Sequence, residues 1–159
     1  MLARLECARC ARTYDENELH NRCACGGTLA AIYEPRAVSL AGLRSRPPGM
    51  WRYRELLPLK GDPISLGEPQ TPLLRLERLS TRWGVETWLK DESPLPGTTF
   101  KARGAAVGLS RAIELGAERL VMPSAGNAGG AWALYAARAG IPLTVTMSRH
   151  APESNQREV

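Results

Sequence analysis

Residues 87–147 carry the pattern that decides the fold of this chain: TWLKDESPLPGTTFKARGAAVGLSRAIELGAERLVMPSAGNAGGAWALYAARAGIPLTVTM. Short apolar runs alternate here with longer stretches whose apolar residues recur at helical spacing. The runs are 87–90, 120–122 and 142–147, and the helical stretches are 100–115 and 127–138. Gly116 and Gly140 follow the two predicted helices, where glycine commonly ends a helix. This alternation predicts an α/β fold with a parallel sheet flanked by helices.

The remainder of the chain divides into three expected parts. A cysteine-bearing module occupies 1–33 and ends in a predicted strand, and a proline-containing connector without periodicity occupies 34–50. The α/β part occupies 51–159, and the pattern predicts a short amphipathic helix before Pro58 and strands near 73–76 and 87–90. The last ten residues, HAPESNQREV, are typical of the start of another helix. We therefore expect the fold to continue beyond residue 159.

Composition excludes several classes of protein. The chain has 159 residues, 43% of them hydrophobic and 23% charged, which fits a globular domain rather than a disordered one. No run approaches the roughly 20 apolar residues that a membrane helix needs, and the first residues do not resemble a signal peptide. The net charge of +5 comes from scattered arginines without a basic patch, so neither nucleic acid nor membrane is an expected partner. We expect a cytoplasmic location.

All four cysteines lie in the first 25 residues, as Cys7-x-x-Cys10 and, after twelve residues, Cys23-x-Cys25. Two close pairs of thiols on two turns are typical of a zinc ribbon, so these four residues are candidate ligands of a structural zinc ion. The alternative is four reduced cysteines without metal. His20 lies near the second pair, but four cysteines suffice and we expect it at the surface. A redox role is disfavoured because no thioredoxin-like strand is expected before Cys7.

A lysine at the start of a predicted helix is the first candidate catalytic residue. Pro96–Gly104 reads PGTTFKARG and places Lys101 at the start of the helix, where Thr98 and Thr99 can cap the backbone. The positive field of a helix N-terminus disfavours an ammonium ion and favours the neutral amine that reacts with an aldehyde cofactor. The alternative interpretation is a capped helix with one solvent-facing lysine.

A second candidate loop follows the predicted strand at 120–122. Pro123–Gly130 reads PSAGNAGG, and small-residue loops before a helix can bind anions through backbone N–H groups. Ser124 and Asn127 add side-chain donors. The alternative is a tight turn whose glycines serve packing, and the G-x-G-x-x-G pattern of dinucleotide sites is absent from the sequence.

Four motifs in this order resemble the pyridoxal-phosphate enzymes of fold type II, and among them the threonine synthases. The motifs are LGEPQTPL at 66–73, LKDE at 89–92, TFKARG at 99–104 and SAGN at 124–127. The resemblance extends over the whole chain, including the cysteine-bearing N-terminus. Two features differ: PGTTFK replaces the common P-T-G-S-F-K, and Ala102 stands where threonine synthases often have Asp. Because K-x-R-G-A also occurs in threonine dehydratases, the choice of reaction stays open.

The resemblance implies a role for each candidate residue. Lys101 would bind pyridoxal phosphate covalently and act as the catalytic residue, and Asn127 would donate a hydrogen bond to the phenolic oxygen of the cofactor. The loop Ser124–Ala125–Gly126, with Asn127 and Thr99, would bind the amino-acid substrate. The implied reaction converts O-phosphohomoserine and water to threonine and phosphate.

The resemblance also implies what lies outside these residues. Family members are longer, and their phosphate-binding loop and the partner of the pyridine nitrogen come from the second half. We therefore expect an N-terminal fragment that is inactive alone, from a parent that forms a homodimer. Two alternatives stay open: a threonine/serine dehydratase of the same fold, and a non-catalytic binding module made of a zinc ribbon and an α/β half.

Overall fold

A computed structural model describes residues 2–34 and 37–159 of the chain. Strands β1 to β7 span Leu2–Cys7, Thr13–Tyr14, Leu29–Tyr33, Leu73–Arg75, Trp88–Lys90, Leu120–Pro123 and Leu143–Thr146. Helices α1 to α5 span Leu40–Arg44, Glu77–Trp83, Lys101–Glu114, Asn127–Ala139 and Glu153–Arg157. Short 3₁₀ helices span Met50–Leu56 and Pro96–Thr98. Met1 of the expected module and residues 35 and 36 of the expected connector lie outside the described residues.

The N-terminal module is a small antiparallel sheet in the order β2-β1-β3. Cys7 ends β1 and pairs with Leu29, while Leu5 pairs with Tyr14. A strand therefore does precede Cys7, although the sequence showed no sign of a thioredoxin-like one. The charged residues Arg4 and Glu6 interrupt the apolar pattern of β1, and they form an ion pair with each other. A turn rather than a helix follows Cys7, so the strand-to-helix arrangement of a thioredoxin site is not formed.

The predicted parallel sheet is present as β6 and β7, which pair in parallel register from Leu120↔Leu143 to Pro123↔Thr146. Helix α4 connects them, so the α/β prediction is confirmed. Strand β5 does not join this pair: it is antiparallel to β4, with Leu73 opposite Lys90. Only α2 and a short turn separate β4 from β5, and a short connection makes their pairing entropically inexpensive.

The region before β4 is less regular than the sequence predicted. The segment predicted as an amphipathic helix before Pro58 is the 3₁₀ helix Met50–Leu56, whose backbone is kinked at Tyr53. The expected connector contains a short helix, α1, capped by the Ser39 hydroxyl, which accepts a hydrogen bond from the Gly42 amide at 3.0 Å. None of the residues of α1 is buried, so this side-chain cap is the local feature that stabilises the short helix.

Helices α3 and α4 pack against each other through small side chains. The buried residues of this core are Leu95, Ala102, Ala105, Ala106, Leu109, Ala131, Tyr135 and Ala136. A Cβ atom at Gly108 would lie 2.9 Å from the ring of Trp132, so the absence of a side chain at Gly108 permits this close approach. Alanine and glycine at the contact let the two helix backbones approach closely, which fixes one helix relative to the other.

A buried carboxylate ties the segment before β4 to this helix pair. Glu68 is 5% exposed and accepts hydrogen bonds from the Trp51 indole at 2.6 Å, the Ser65 hydroxyl at 2.6 Å, the Leu66 amide at 2.9 Å and the Tyr135 hydroxyl. Burial alone would raise the pKa of Glu68, but these donors outweigh it and hold the pKa below its ordinary value. A buried carboxylate with four donors is a fully satisfied polar group in the core.

Candidate functional site

Lys101 is the first residue of α3, as the sequence predicted. The turn before it places Thr98 at φ 53°, and Thr99 is buried. The Thr99 hydroxyl oxygen accepts a weak hydrogen bond from the Lys101 amide at 3.4 Å. Of the two expected capping threonines, only Thr99 therefore contacts the helix start, because the left-handed backbone at Thr98 lies outside the helix.

The amine of Lys101 lies 4.4 Å from the centroid of the Phe100 ring. Within residues 2–34 and 37–159 it makes no hydrogen bond or ion pair. The other two lysines of the chain are both engaged: Lys60 Nζ donates to the Asn17 side chain, and Lys90 Nζ donates to the Thr71 carbonyl. Of the three lysine side chains, Lys101 is thus the one whose amine makes no hydrogen bond with the described residues and is free to react.

Lys101 also lines a cavity of about 420 Å³. The same cavity is bordered by residues of α3, β6 and α4, among them Gly104, Met122, Ala128 and Trp132. A volume of this size lies within the range of roughly 300–1,000 Å³ that is usual for sites of small ligands. A free amine beside such a cavity, which small, aromatic and charged residues line together, fits an aldehyde-bearing cofactor.

Asn127 is the first residue of α4 and lies beside the start of α3. Its side-chain amide Nδ2 is 3.4 Å from Thr99 Oγ1, the same oxygen that accepts from the Lys101 amide. The N-termini of the two helices therefore meet at Thr99. Neighbouring parallel strands do not produce this meeting, because β5 pairs with β4; the contact of α3 with α4 brings the two starts together.

The loop before α4 is shaped by Ser124. Its hydroxyl oxygen accepts hydrogen bonds from the amides of Gly126 at 3.3 Å and Gly129 at 3.0 Å, which caps the first turn of the helix. Ala125 is exposed, and its carbonyl accepts from the Asn155 side chain at 2.8 Å. The first turn of any helix leaves amide groups without intrahelical partners. The loop Ser124–Gly126 is thus a hydrogen-bonded turn at the positive N-terminal end of α4.

A charged network links three of the motifs and was not assigned a role from the sequence. Arg103 donates to both carboxylate oxygens of Glu92, at 2.5 and 2.9 Å, and to the Thr71 hydroxyl at 3.1 Å. Thr71 in turn donates to Glu92 at 2.6 Å. The Arg103 guanidinium holds the pKa of Glu92 at about 2. Thr71, Glu92 and Arg103 lie in three different motifs of the sequence, and this is the signal from which the network could have been predicted.

The four cysteine sulfurs form one close group in which all Sγ atoms lie within 4.8 Å of one another. Cys7 is 3.6 Å from Cys25, and Cys10 is 3.6 Å from Cys23. Four thiolates at about 2.3 Å from a tetrahedral zinc ion would be about 3.8 Å apart. The sulfur spacing therefore fits a tetrahedral metal ion.

Neighbouring groups favour the thiolate form of two of these cysteines, Cys23 and Cys7. For Cys25 the Gly27 amide lowers the pKa, but hydrogen bonds to the other three cysteines outweigh it, and the pKa is raised to about 12. The Tyr14 hydroxyl donates to Cys23 Sγ at 3.1 Å and lowers the pKa of Cys23 to about 6. The Arg9 amide donates to Cys7 Sγ at 3.4 Å and lowers the pKa of Cys7. A Cβ atom at Gly27 would lie only 2.7 Å from Cys7 Sγ, so this glycine permits the close approach of the backbone.

His20 lies outside the group of four sulfurs. Its ring stacks at a tilt against Tyr14 with centroids 4.8 Å apart, and its Nε2 is 3.4 Å from the Glu18 carboxylate. The side chain is only 20% exposed, so it is less exposed than we expected for a surface residue. It packs on the tyrosine that contacts Cys23.

The cysteine module docks on the helix that carries Lys101, at its far end. Arg111 of α3 donates to the Glu16 carbonyl at 2.7 Å, and Lys60 binds the side chain of Asn17. Glu114 accepts from the Lys60 amide at 2.9 Å. The loop after β2 is thereby held against the last turns of α3.

Comparison with known proteins identifies the family of this chain. Residues 64–159, which include Lys101, Asn127 and the network around Glu92, match the family model described as "Pyridoxal-phosphate dependent enzyme". The chain belongs to the pyridoxal-phosphate dependent enzymes. The expected α/β fold of this family is therefore confirmed.

Several curated proteins resemble this family member. Threonine synthases of Methanosarcina acetivorans and Methanocaldococcus jannaschii are 35% and 42% identical to it, over 90% and 84% of this chain. A cysteate synthase of Methanocella paludicola is 32% identical over 91% of this chain. The chain spans about a third of the length of these relatives, namely 36%, 35% and 34%.

A solved structure shows the same similarity of fold. A pyridoxal 5'-phosphate-dependent aspartate racemase matches 55% of this chain with a TM-score of 0.51 and 28% identity, over 29% of its own length.

No helix in the described part of the chain combines the length and the apolar composition that a membrane-spanning helix needs.

Substitution of Glu92 by Gln is expected to destabilise this pyridoxal-phosphate family member by about 1.5–3 kcal/mol at pH 7, because it removes the charged acceptor from Arg103. The pKa of Glu92 falls from 4.5 to about 2 on folding, so its carboxylate stabilises the fold above pH 4.5. That contribution is lost as the pH falls toward 2. Urea unfolding should therefore show a gap between wild type and Glu92→Gln that closes with acid.

The matched control is Glu77→Gln, which removes a carboxylate whose ion pair with Arg75 is exposed on both sides. Exposed pairs contribute little, so this variant should stay close to wild type at every pH. An equal gap for both variants, or a gap that does not change with pH, would contradict the assignment to Glu92.

Proposed function

We propose that this chain supplies the lysine-bearing portion of a threonine-synthase-like enzyme. The reaction is the replacement of phosphate by water on O-phosphohomoserine, which gives threonine and inorganic phosphate. The observation that supports the proposal is the amine of Lys101 at the start of α3, which makes no hydrogen bond or ion pair with the described residues and lies beside a cavity and next to the start of α4. The threonine synthases among the relatives supply the choice of reaction.

In this proposal each residue acts through the atoms that it presents. Lys101 would hold the cofactor through Nζ, and its amine would carry protons to and from the substrate. Asn127 would help to hold the cofactor as a donor from Nδ2, the atom that contacts Thr99 in this structure. The Ser124–Gly126 loop binds the substrate carboxylate at the positive end of α4. Pyridoxal phosphate, when bound, supplies the electron sink that stabilises negative charge on the substrate.

The two other parts of the chain have separate proposed roles. We assign residues 1–33 to a module with one structural zinc ion on Cys7, Cys10, Cys23 and Cys25, supported by the spacing of the four sulfurs. Residues 34–50 connect it to the α/β part at 51–159. Because the module docks at the end of α3 opposite to Lys101, it stabilises the helix without contacting the site.

Two other reactions at the same lysine remain candidates. The relative described as cysteate synthase covers 91% of this chain, and the K-x-R-G-A motif also fits a threonine/serine dehydratase. Ala102, where threonine synthases often have Asp, is completely buried in the core between α3 and α4. Its side chain packs in the core and does not line the cavity, so the replacement of Asp by Ala at this position does not favour either reaction.

A chimera tests the proposed reaction. In the Methanocaldococcus jannaschii threonine synthase, the region that aligns with this chain is replaced by residues 1–159, and threonine and phosphate are measured with O-phosphohomoserine. We expect turnover, and a loss of at least about a thousandfold in kcat for Lys101→Ala, because an essential group at the reacting atoms is removed.

The control chimera carries Lys60→Ala, which removes a lysine outside the cavity and should leave turnover unchanged. Circular dichroism and cofactor absorbance establish that each chimera is folded and loaded. Formation of 2-oxobutyrate from threonine without phosphate release would replace the proposal by the dehydratase, and formation of cysteate would replace it by cysteate synthase. A folded, loaded chimera without any of these activities would favour the non-catalytic module.

A further inference from the structure

Strand β3, Leu29–Tyr33, forms one edge of the antiparallel sheet of the N-terminal module, in which the strand order is β2-β1-β3. Its five residues, LAAIY, carry no charge and include neither proline nor glycine. The other edge, β2, has only two residues and is followed directly by Asp15 and Glu16. Short strands and charged residues are common means by which proteins prevent a sheet edge from pairing with another chain. The β2 edge has this protection, and the β3 edge lacks it.

The backbone groups of β3 that face away from β1 belong to Leu29, Ala31 and Tyr33. In an antiparallel pair, hydrogen bonds to the neighbouring strand are made by alternate residues, and the residues between them direct their N–H and C=O groups to the other side. The Ala8 amide donates to the Thr28 carbonyl at 3.0 Å, so Thr28 and every second residue after it face β1. The three residues named first therefore face outward, and no further strand of the described residues pairs on that side.

These outward groups are complementary to those of a second copy of β3. An antiparallel pair with a two-fold axis at Ala31 places Ala31 opposite itself and Leu29 opposite Tyr33 of the second copy. Each such pair of residues exchanges two backbone hydrogen bonds, so all outward groups of both strands find partners. The side chain of Tyr33, which is 43% exposed, would pack beside Leu29. Thr28 would lie opposite Glu34, so no two like charges meet along the paired strands.

Charge also favours the N-terminal module as the contact between two copies. Residues 1–34 carry four arginines and five acidic residues, which gives a formal charge of −1. The rest of the chain carries 17 basic and 11 acidic residues, which gives +6. Two copies therefore repel each other least where their modules meet. Thr28, Ala30, Ala31, Tyr33 and Glu34 are exposed, so a second strand can reach the edge.

We propose that β3 pairs with β3 of a second copy about a two-fold axis at Ala31, which joins the two small sheets into one continuous sheet. The four motifs that carry the family resemblance lie outside this edge. The pairing needs neither cofactor nor substrate, so it stands or fails independently of the proposed function. A strand of five residues spans only about 17 Å, and a contact of this length is smaller than the roughly 1,200 Å² of a standard interface. We therefore expect a weak dimer, with a dissociation constant on the order of 100 μM, that dissociates on dilution.

Sedimentation equilibrium of the 159-residue chain, at concentrations above and below this dissociation constant, tests the pairing. Ala31→Lys places two ammonium groups opposite each other at the axis, so we expect it to weaken the association at least about fivefold. Ala31→Glu should weaken it similarly. An equimolar mixture of the two variants should associate at least as tightly as wild type, because opposite charges then face each other. A variant that had failed to fold would not regain association in the mixture.

Thr13→Lys is the matched control, because it adds the same charge to an exposed residue of β2, at the opposite edge of the same sheet. It should associate as wild type does. Amide hydrogen exchange gives an independent measurement of the register: protection at Ala31 should increase with protein concentration, whereas protection at Ala30 and Ile32, which face β1, should not. The proposal is overturned if the chain is monomeric at every concentration, if Ala31→Lys and Thr13→Lys associate equally, if the mixture does not restore association, or if protection at Ala31 is independent of concentration.

Discussion

Borohydride reduction of this chain with pyridoxal phosphate is expected to label Lys101 and to leave Lys60 and Lys90 nearly unmodified. The amine of Lys101 has no hydrogen-bond acceptor among the described residues, whereas the other two lysines each donate to an oxygen. An amine that makes no hydrogen bond and lies beside a cavity reacts with an aldehyde more readily than one that must first break a hydrogen bond. We expect at least about tenfold more label at Lys101, measured by peptide mass spectrometry.

Lys101→Ala should remove this label without transferring it to another residue, and Lys60→Ala should leave it unchanged. Total occupancy before reduction is expected to be low. The resemblance implies that the loop that binds the cofactor phosphate lies in the part of the relatives that this chain does not span. Each charge-assisted hydrogen bond to the phosphate that is missing weakens cofactor binding by roughly 1.5–3 kcal/mol. Equal labelling of the three lysines would contradict the assignment of Lys101.

One zinc ion per chain is expected in protein purified without chelator, and removal of any one of its four thiol ligands should release it. Apparent binding free energies of structural zinc in small domains are about 10–16 kcal/mol, so loss of the metal should unfold the small sheet of β1, β2 and β3. Elemental analysis measures the metal in wild type and in Cys7→Ser. Limited proteolysis then measures unfolding as new cleavage between residues 8 and 28.

Ala8→Ser is the control, because it adds a hydroxyl beside Cys7 without removing a sulfur. It should keep the metal and resist cleavage as wild type does. Absence of metal from the wild-type protein, together with free reaction of all four thiols with a disulfide reagent, would show that the cysteines are reduced and unliganded.

Local sequence determined the elements whose signals lie within one segment. Apolar residues at helical spacing and the following glycines placed α3 and α4 to within a residue or two, and β-branched residues marked β7. The spacing of the cysteines predicted the group of four sulfurs because each pair lies within a single turn of chain. The position of Lys101 at the start of α3 follows from the same local pattern.

Elements that depend on distant partners were not predictable in this way. Strand β1, which carries charged residues, is formed by pairing with β3, more than twenty residues later in the chain. Strand β5 pairs with β4 and does not join the parallel sheet. Their hydrogen bonds join backbone groups, which every residue type carries, so the side-chain pattern does not reveal the partner.

The sequence by itself determined which residues can do chemistry: an amine at a helix start, a small-residue loop and two thiol pairs. Only the tertiary structure decided that Thr99 contacts both helix starts, that Glu92 binds Arg103, and that β3 lies at an edge of its sheet. The physical reason is that electrostatic and hydrogen-bond energies depend on separation in space, which the fold sets. Close packing of α3 on α4 through alanine and glycine residues brings the two helix starts together at Thr99.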